Sequence, residues 1–379
     1  MNIKAQARQN LINIPGWRTN RKIVVIESDD WGSIRMPSGK VYEECLKSGY
    51  RVDKNIFSKY DSLESEEDLE KLFDLLLSIR NALGQSPLIT ANCLVANPDF
   101  DKIKKSDFLE YHFELITETF KKYPKHNNCF NLWMKGLELG IFKPQCHGRE
   151  HLNVSRFMGD LRAGNPDALF AFGHRMPGIF WKDRVEKKEG NRYVVALEYM
   201  DLRDKLRKGD ILRESLDLFE KIFGFQSDSF IATNYIWAPE YEKILFEGGV
   251  KYIQGSQFQN IPKGNYLGFK RKFHYLGQRS KWGPIYLTRN VTFEPSLNQT
   301  TDWVSSALRE IETAFRWKKP AIISTHRINF VGFLVPENRD RTLKLFKELL
   351  IQIIKKWPNV EFMSSDQLGE IINKKKNKL

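Results

Sequence analysis

Residues 22–32 read Lys-Ile-Val-Val-Ile-Glu-Ser-Asp-Asp-Trp-Gly (KIVVIESDDWG). Four consecutive β-branched aliphatic residues predict a short strand buried on both faces, as parallel sheets require. The run ends in polar residues, so two carboxylates, Asp29 and Asp30, follow directly on the strand. Comparable runs recur at 87–95 (PLITANCLV), 141–146 (IFKPQC), 229–236, 250–255, 284–292, 320–325 and 359–364. Helical spacing of apolar residues marks 64–83, 106–121, 128–138, 238–247, 301–317 and 337–356, the first of these with an acidic opening turn. Strands alternating with helices imply parallel pairing through βα crossovers. Seven or eight such units predict an α/β fold, a distorted (β/α)7–8 barrel, with an open doubly wound sheet as the rival.

The stretch 154–227 interrupts this rhythm. It carries Gly159, Gly164, Pro166, Gly173, Pro177 and Gly178, then a charged hairpin-like segment around Lys187–Arg192, then a charged helix near 198–223. We expect an insertion near the barrel mouth, where long insertions form lids or substrate walls. Residues 33–62 are a second long loop. The expected organisation is one domain over 20–370 and a basic tail over 371–379, with Lys374, Lys375, Lys376 and Lys378.

A chain of 379 residues can bury a large core. Its 41% hydrophobic and 28% charged residues are ordinary for a globular protein. The net charge of +13 is spread over short groups such as Lys121-Lys122 and Lys270-Arg271-Lys272, which read as solvated faces. No nucleic-acid-binding motif accompanies the charge, so no nucleic-acid partner is expected. Cys45, Cys93, Cys129 and Cys146 form no C-x-x-C pair and read as reduced thiols. The first residues lack the apolar core of a signal peptide, and no stretch approaches a membrane span. These features predict a cytoplasmic protein, with attraction of the basic tail to anionic headgroups at the inner membrane surface as a further option.

Candidate chemistry gathers at strand ends, which in a parallel barrel face the active site. Adjacent carboxylates at Asp29 and Asp30 repel unless a cation, a proton or strong donors offset them. Ser-Asp-Asp-Trp-Gly is also ordinary turn chemistry. His147 and His151, in His-Gly-Arg-Glu-His after the third strand, have the i, i+4 spacing that puts two rings on one helical face and chelates zinc from one turn. Glu150 is misplaced for the H-E-x-x-H arrangement. His326 closes the apolar run Pro-Ala-Ile-Ile-Ser-Thr-His at 320–326, and near neutral pH it can give or take a proton. Nine Trp supply core rings and candidate sugar-stacking surfaces at Trp31, Trp237 and Trp282.

Ser-Asp-Asp-Trp-Gly, His-Gly-Arg-Glu-His and Ser-Thr-His, in this order at strand ends, resemble the motifs of the polysaccharide deacetylase family, also called NodB-homology or carbohydrate esterase 4 type. The resemblance covers roughly 20–370 and implies a distorted barrel. It further implies Asp29 as catalytic base, Asp30, His147 and His151 as ligands of one divalent ion, and His326 as general acid. Zinc is the first expectation for that ion, with cobalt, nickel or iron as alternatives. The implied activity is hydrolytic removal of acetyl groups from an N- or O-acetylated sugar or polysaccharide intermediate, with a lipid-linked or anionic glycan among the substrates considered. The family's third motif usually carries an arginine that holds the base. Here Phe230–Glu240 (FIATNYIWAPE) lacks it, so that task passes to a group such as Arg149 or Arg289. The fourth motif is also altered, with Tyr286–Glu294 (YLTRNVTFE) in its place. Expected substrate-binding residues are Trp31, Arg149, Asn234, Trp237, Glu240 and Arg289. Two rival readings stand beside this one. A glycan-binding protein on a degenerate deacetylase scaffold would use the same cleft without chemistry. A glycoside hydrolase would pair Asp29 with Glu240 or Glu294 and leave the histidine pair without a task.

Overall fold

Ile23, Val24, Val25 and Ile26 are each 0% exposed and begin β1, Ile23–Trp31, in the computed structural model, which describes residues 3–179 and 192–376. The predicted charged hairpin around Lys187–Arg192 lies outside the described residues except for Arg192. On one edge β1 pairs in parallel with Ala321–His326; on the other it pairs with Glu361–Met363 over its first residues and with Ile89–Cys93 over its last. In chain order the further strands are β2 (Ile89–Cys93), β3 (Ala96–Pro98), β4 (Phe113–Leu115), β5 (Phe142–Cys146), β6 (Ser229–Ile231), β7 (Tyr252–Gly255), β8 (Phe258–Pro262), β9 (Phe269–Phe273), β10 (Ile285–Thr288), β11 (Val291–Thr292), β12 (Ala321–His326) and β13 (Glu361–Met363).

The main sheet runs β10-β7-β6-β5-β2-β1-β12-β11, every ladder parallel, with β13 also on β1. Among the described residues no ladder joins β10 to β11. Arg289 and Asn290 alone connect these two edge strands, and two residues reach at most about 7 Å beyond their neighbours. The Arg289 N–H bonds Gly255 at the end of β7, and the Asn290 N–H bonds Ile322 in β12. The sheet is therefore curled until its edges adjoin, with this backbone step between them. The expected α/β barrel-type sheet is present; its ladder is open at that seam.

Helices cover the sheet where capping and periodicity agree. Helix Glu66–Leu77 starts with a capping box in which the Ser65 hydroxyl accepts from the Asp68 N–H and the Asp68 carboxylate accepts from the Ser65 N–H. It buries Leu69, Leu72, Phe73 and Leu76. The predicted helix over 106–121 is shorter. Helix Ile116–Lys122 follows β4, whose pairing with β3 claims the preceding residues. The predicted strand at 284–292 divides into β10 and β11. Within the expected insertion, helices Val154–Arg162 and Pro166–Gly173 pack Phe157, Leu161 and Phe172 against Ile34 and Phe100. This satellite core fixes the insertion beside the 33–62 loop. The insertion ends in helix Leu202–Phe223. The basic tail begins inside helix Ser365–Lys376, so its first residues extend that helix. All four cysteines are free and buried. No helix among the described residues is long and apolar enough to cross a membrane.

Candidate active site

Asp29 and Asp30 would point to opposite faces of a regular strand. The β1–β2 register shifts between Ser28 and Trp31, and Asp30 takes a left-handed backbone with φ 77°. This bulge turns both carboxylates toward one cavity. Gly32, with φ 83°, continues the turn, and a Cβ there would lie 2.9 Å from the Leu94 carbonyl oxygen. The Gly32 N–H donates to Glu64, itself buried and paired with Arg327.

His147 follows β5. Its N–H bonds the Cys93 carbonyl, while Val95 and Ala96 donate to the carbonyls of Gly148 and Arg149. These bonds pin 147–151 as a loop, with Gly148 at φ 113°, so the helical route to a shared face does not apply. The rings converge nevertheless, with centroids 5.4 Å apart. Nε2 of each histidine lies 3.4 Å from Asp30 Oδ1, and one ligand atom from each of the three residues falls within 4.8 Å of the others.

The donor set fits a divalent cation. His147 Nδ1 lies 2.9 Å from the Ile231 carbonyl, which can only accept, so the proton sits on Nδ1. Nε2 then presents a lone pair to a carboxylate oxygen, is buried, and has no hydrogen-bond partner. Two facing lone-pair atoms at this distance need a cation or proton between them. Burial, reinforced by Arg35 against the pull of Asp30, pushes the His151 imidazole down to about 3, so this ring is neutral, the form that binds metal. Burial alone would push the Asp30 carboxyl up, but its charged partners, Arg35 foremost, hold it well below the usual carboxylate range. Arg35 Nη2 is 3.1 Å from Asp30 Oδ2.

Asp29 is held by three donors. Arg289 Nη2 and Nη1 donate to Oδ1 and Oδ2 at 2.6 and 2.7 Å, and Asn92 Nδ2 donates to Oδ1 at 2.7 Å. Burial raises the Asp29 carboxyl, but Arg289 and then His326 outweigh it and keep the group ionised. Oδ1 is saturated; Oδ2 retains a lone pair. His326 Nε2 stands 3.9 Å from Oδ2, beyond hydrogen-bond length. His326 Nδ1 donates to Glu294 at 2.6 Å, and Asn329 donates to the other Glu294 oxygen at 2.7 Å. Burial disfavours the imidazolium, yet Glu294, with Asp29 and Asp30 behind it, raises its pKa well above the usual range. His326 is thus held charged between two anionic groups.

These five residues line a cavity of about 660 Å³, walled also by Met176–Ile179 and Tyr193–Val195 of the insertion and by Asn55, Phe57 and Ser58 of the 33–62 loop. Asn234 and Tyr235 reach it from the end of β6. The other expected substrate-binding residues do not line it. Trp31 is 1% exposed; its indole N–H donates to Ser28 and its ring packs on Phe142 and Phe330, because the bulge swings it into the core. Trp237 is buried with its N–H on Glu242. Glu240 pairs with Lys205 on the surface. Arg149 is drawn under Tyr111 and Phe113 and held by Glu150 and Glu214. Arg289 is 3% exposed and spends its donors on Glu27 and Asp29, so it holds Asp29 and is not free to contact a substrate. Sequence reasoning missed Asn92, Arg35 and the wall residues. Only Arg35, four residues beyond the motif's tryptophan, carries any signal by position.

No family model and no curated protein matches the chain. Among solved structures, the chain aligns with Puue allantoinase at 11% identity and a TM-score of 0.48, covering 94% of this chain and 93% of that one. It aligns with a probable polysaccharide deacetylase from Pseudomonas aeruginosa PAO1 at 8% identity and TM-score 0.44, covering 92% and 90%. With a 4-alpha-glucanotransferase from Thermococcus litoralis the identity is 11% and the TM-score 0.42, over 93% of this chain but 40% of the enzyme's length.

Proposed function

We propose that this protein is a metal-dependent hydrolase that removes an acetyl group from an N- or O-acetylated sugar or polysaccharide intermediate. The observation that carries this reading is the convergence of Asp29, Asp30, His147, His151 and His326 on one cavity at the carboxyl ends of parallel strands. Asp30, His147 and His151 would hold the divalent ion, zinc foremost, with cobalt, nickel or iron as alternatives. When bound, such an ion supplies Lewis-acid polarisation of the carbonyl and acidifies water. Three protein ligands leave coordination positions open, as a catalytic site requires.

The chain's own residues divide the proton work. Asp29, ionised and fixed by Arg289, accepts the proton of the attacking water on Oδ2. His326, kept protonated by Glu294, stands across from that oxygen and donates from Nε2 to the departing amine or alkoxide. The pair has its charges set in opposite senses, which is the condition for assigning one as base and the other as acid. Oδ2 and Nε2 lie 3.9 Å apart, close enough for one reacting group beside them to reach both. Lipid-linked and anionic glycans remain the substrate classes considered, and a cytoplasmic location with the basic tail near the inner membrane surface belongs to the same proposal. The two-carboxylate glycosidase reading is disfavoured because Glu240 lies outside the cavity and Glu294 is committed to His326 and Asn329.

The test is acetate release from a panel of N- and O-acetylated sugars by metal-loaded wild type and by Asp29→Asn. The wild type should release acetate, and the variant should lose at least about 100-fold while keeping its metal. A metal-loaded wild type that binds glycans but releases no acetate would favour the non-catalytic glycan binder.

A further inference from the structure

Beyond the ligand and acid–base set and Arg35, the cavity wall among the described residues is largely apolar: Met36, Val52, Phe57, Ile179, Val194 and Leu297 contribute to it. Among the described residues its neutral polar side chains are few. Asn55, Ser58 and Asn234 line it, but the Tyr193 hydroxyl bonds Asp160 and the Tyr235 hydroxyl accepts from Arg289. No described tryptophan reaches the cavity. A sugar ring carries hydroxyls around its rim, and enclosing it here would leave several without partners, at a cost per group that rivals the whole gain from a hydrogen bond. A volume of about 660 Å³ lies in the range of sites that enclose small, mainly apolar ligands. It also exceeds what an acetyl group needs.

We infer that the substrate of this site carries an apolar group of several carbons adjoining the scissile amide or ester bond, and that this group fills the cavity while the sugar stays outside it. This rests on the proposed hydrolytic reading and specifies its substrate. The reaction is plain hydrolysis: water adds to the acyl carbon, the C–N or C–O bond breaks, one water proton leaves with the amine or alcohol, and no redox partner is involved. The sugar or other polar portion would sit at the mouth, where solvent meets its hydroxyls.

The test uses the metal-loaded full-length protein and two series. In one, N-acylglucosamines run from acetyl to octanoyl; in the other, N-acetyl-n-alkylamines lengthen on the leaving side. Each methylene that leaves water for the wall should raise kcat/KM about four-fold until the cavity is full. A rise in either series supports the inference and shows which side of the bond the cavity takes. Val194→Asn and Leu297→Asn, both only partly buried positions, should flatten that dependence. In parallel, calorimetry of N-acetyl- and N-octanoylglucosamine with metal-free protein reads binding without turnover, and the octanoyl compound should bind at least ten-fold tighter. Flat or falling series with acetyl hydrolysis intact would overturn this inference and leave the hydrolase reading standing. If nothing is cleaved, the hydrolase reading fails, and the binding comparison alone decides the occupant: equal binding overturns the inference.

Discussion

Arg289 joins Glu27 and Asp29 through one guanidinium that is 3% exposed. Its planar fork meets both oxygens of Asp29, a geometry lysine cannot reproduce. Arg289→Met should leave two buried carboxylates unpaired and cost about 3–5 kcal/mol of stability in denaturant titration. Arg289→Lys should keep more of the stability but lose most turnover, since the base is no longer oriented. His326 carries the pH dependence. Its folded pKa is raised, so its pairing with Glu294 stabilises the fold fully below its ordinary pKa and fades as pH rises through the raised value. The same titration removes the acid, so the basic limb of kcat should lie above the ordinary imidazole range and vanish in His326→Gln. A basic limb unchanged in that variant would remove His326 from the role. At this scale the sequence was partly legible. Asp29, Asp30, His147, His151 and His326 stood out because chemistry-bearing types ended apolar runs. The Arg289–Asp29 contact was expected only as one of two options, beside Arg149, because 260 positions separate its partners and only the altered motifs pointed to it. The tryptophans misled for the opposite reason: an indole beside a motif reads as a sugar platform until packing shows where its ring goes.

Among the elements, strands were the most readable and turns the least. The bulge at Ser28–Trp31 and the looped path of 147–151 decide how Asp30, His147 and His151 meet, and both depend on pairing with β2 and the residues just after it, which no local pattern reveals. Hairpin β8–β9 was missed because its face is mixed, with Lys270, Arg271 and Lys272 exposed in β9. Helix Leu202–Phe223 was anticipated near its observed span, yet its interior holds a surprise. Lys208 is 1% exposed and donates to Asn153 at 2.7 Å. Burial lowers its ammonium to about 8. Between that value and the ordinary 10.5 the unfolded chain binds the extra proton, so this group makes stability rise with pH, by at most about 1.4 kcal/mol per pH unit. Asn153 Oδ1 also accepts from the Arg156 N–H, so Lys208→Met does not orphan it. Denaturant titrations across that interval should show wild type gaining on Lys208→Met as pH rises. A constant difference would mean the amine titrates normally in the fold.

For the whole molecule, strand alternation was enough to predict an α/β chain built around one curled parallel sheet, because each crossover unit announces itself by period. Length and order could not show how the ends meet, since Arg289–Asn290 bridges the seam by backbone bonds to β7 and β12 rather than by a ladder. The cavity likewise belongs to the assembled chain, with walls from β-strand ends, the 33–62 loop and the insertion. A cation bound only by the folded state stabilises it by mass action, by about 4 kcal/mol at a thousand-fold excess over Kd. Chelation should therefore lower the Tm of wild type, and zinc should restore it. The three-residue metal centre is open to elemental analysis of purified wild type beside His147→Ala/His151→Ala. About one divalent ion is expected per wild-type chain and none in the folded double variant, because Asp30 alone cannot retain it. Wild-type protein that holds no metal, even after zinc or cobalt is added back, would contradict it.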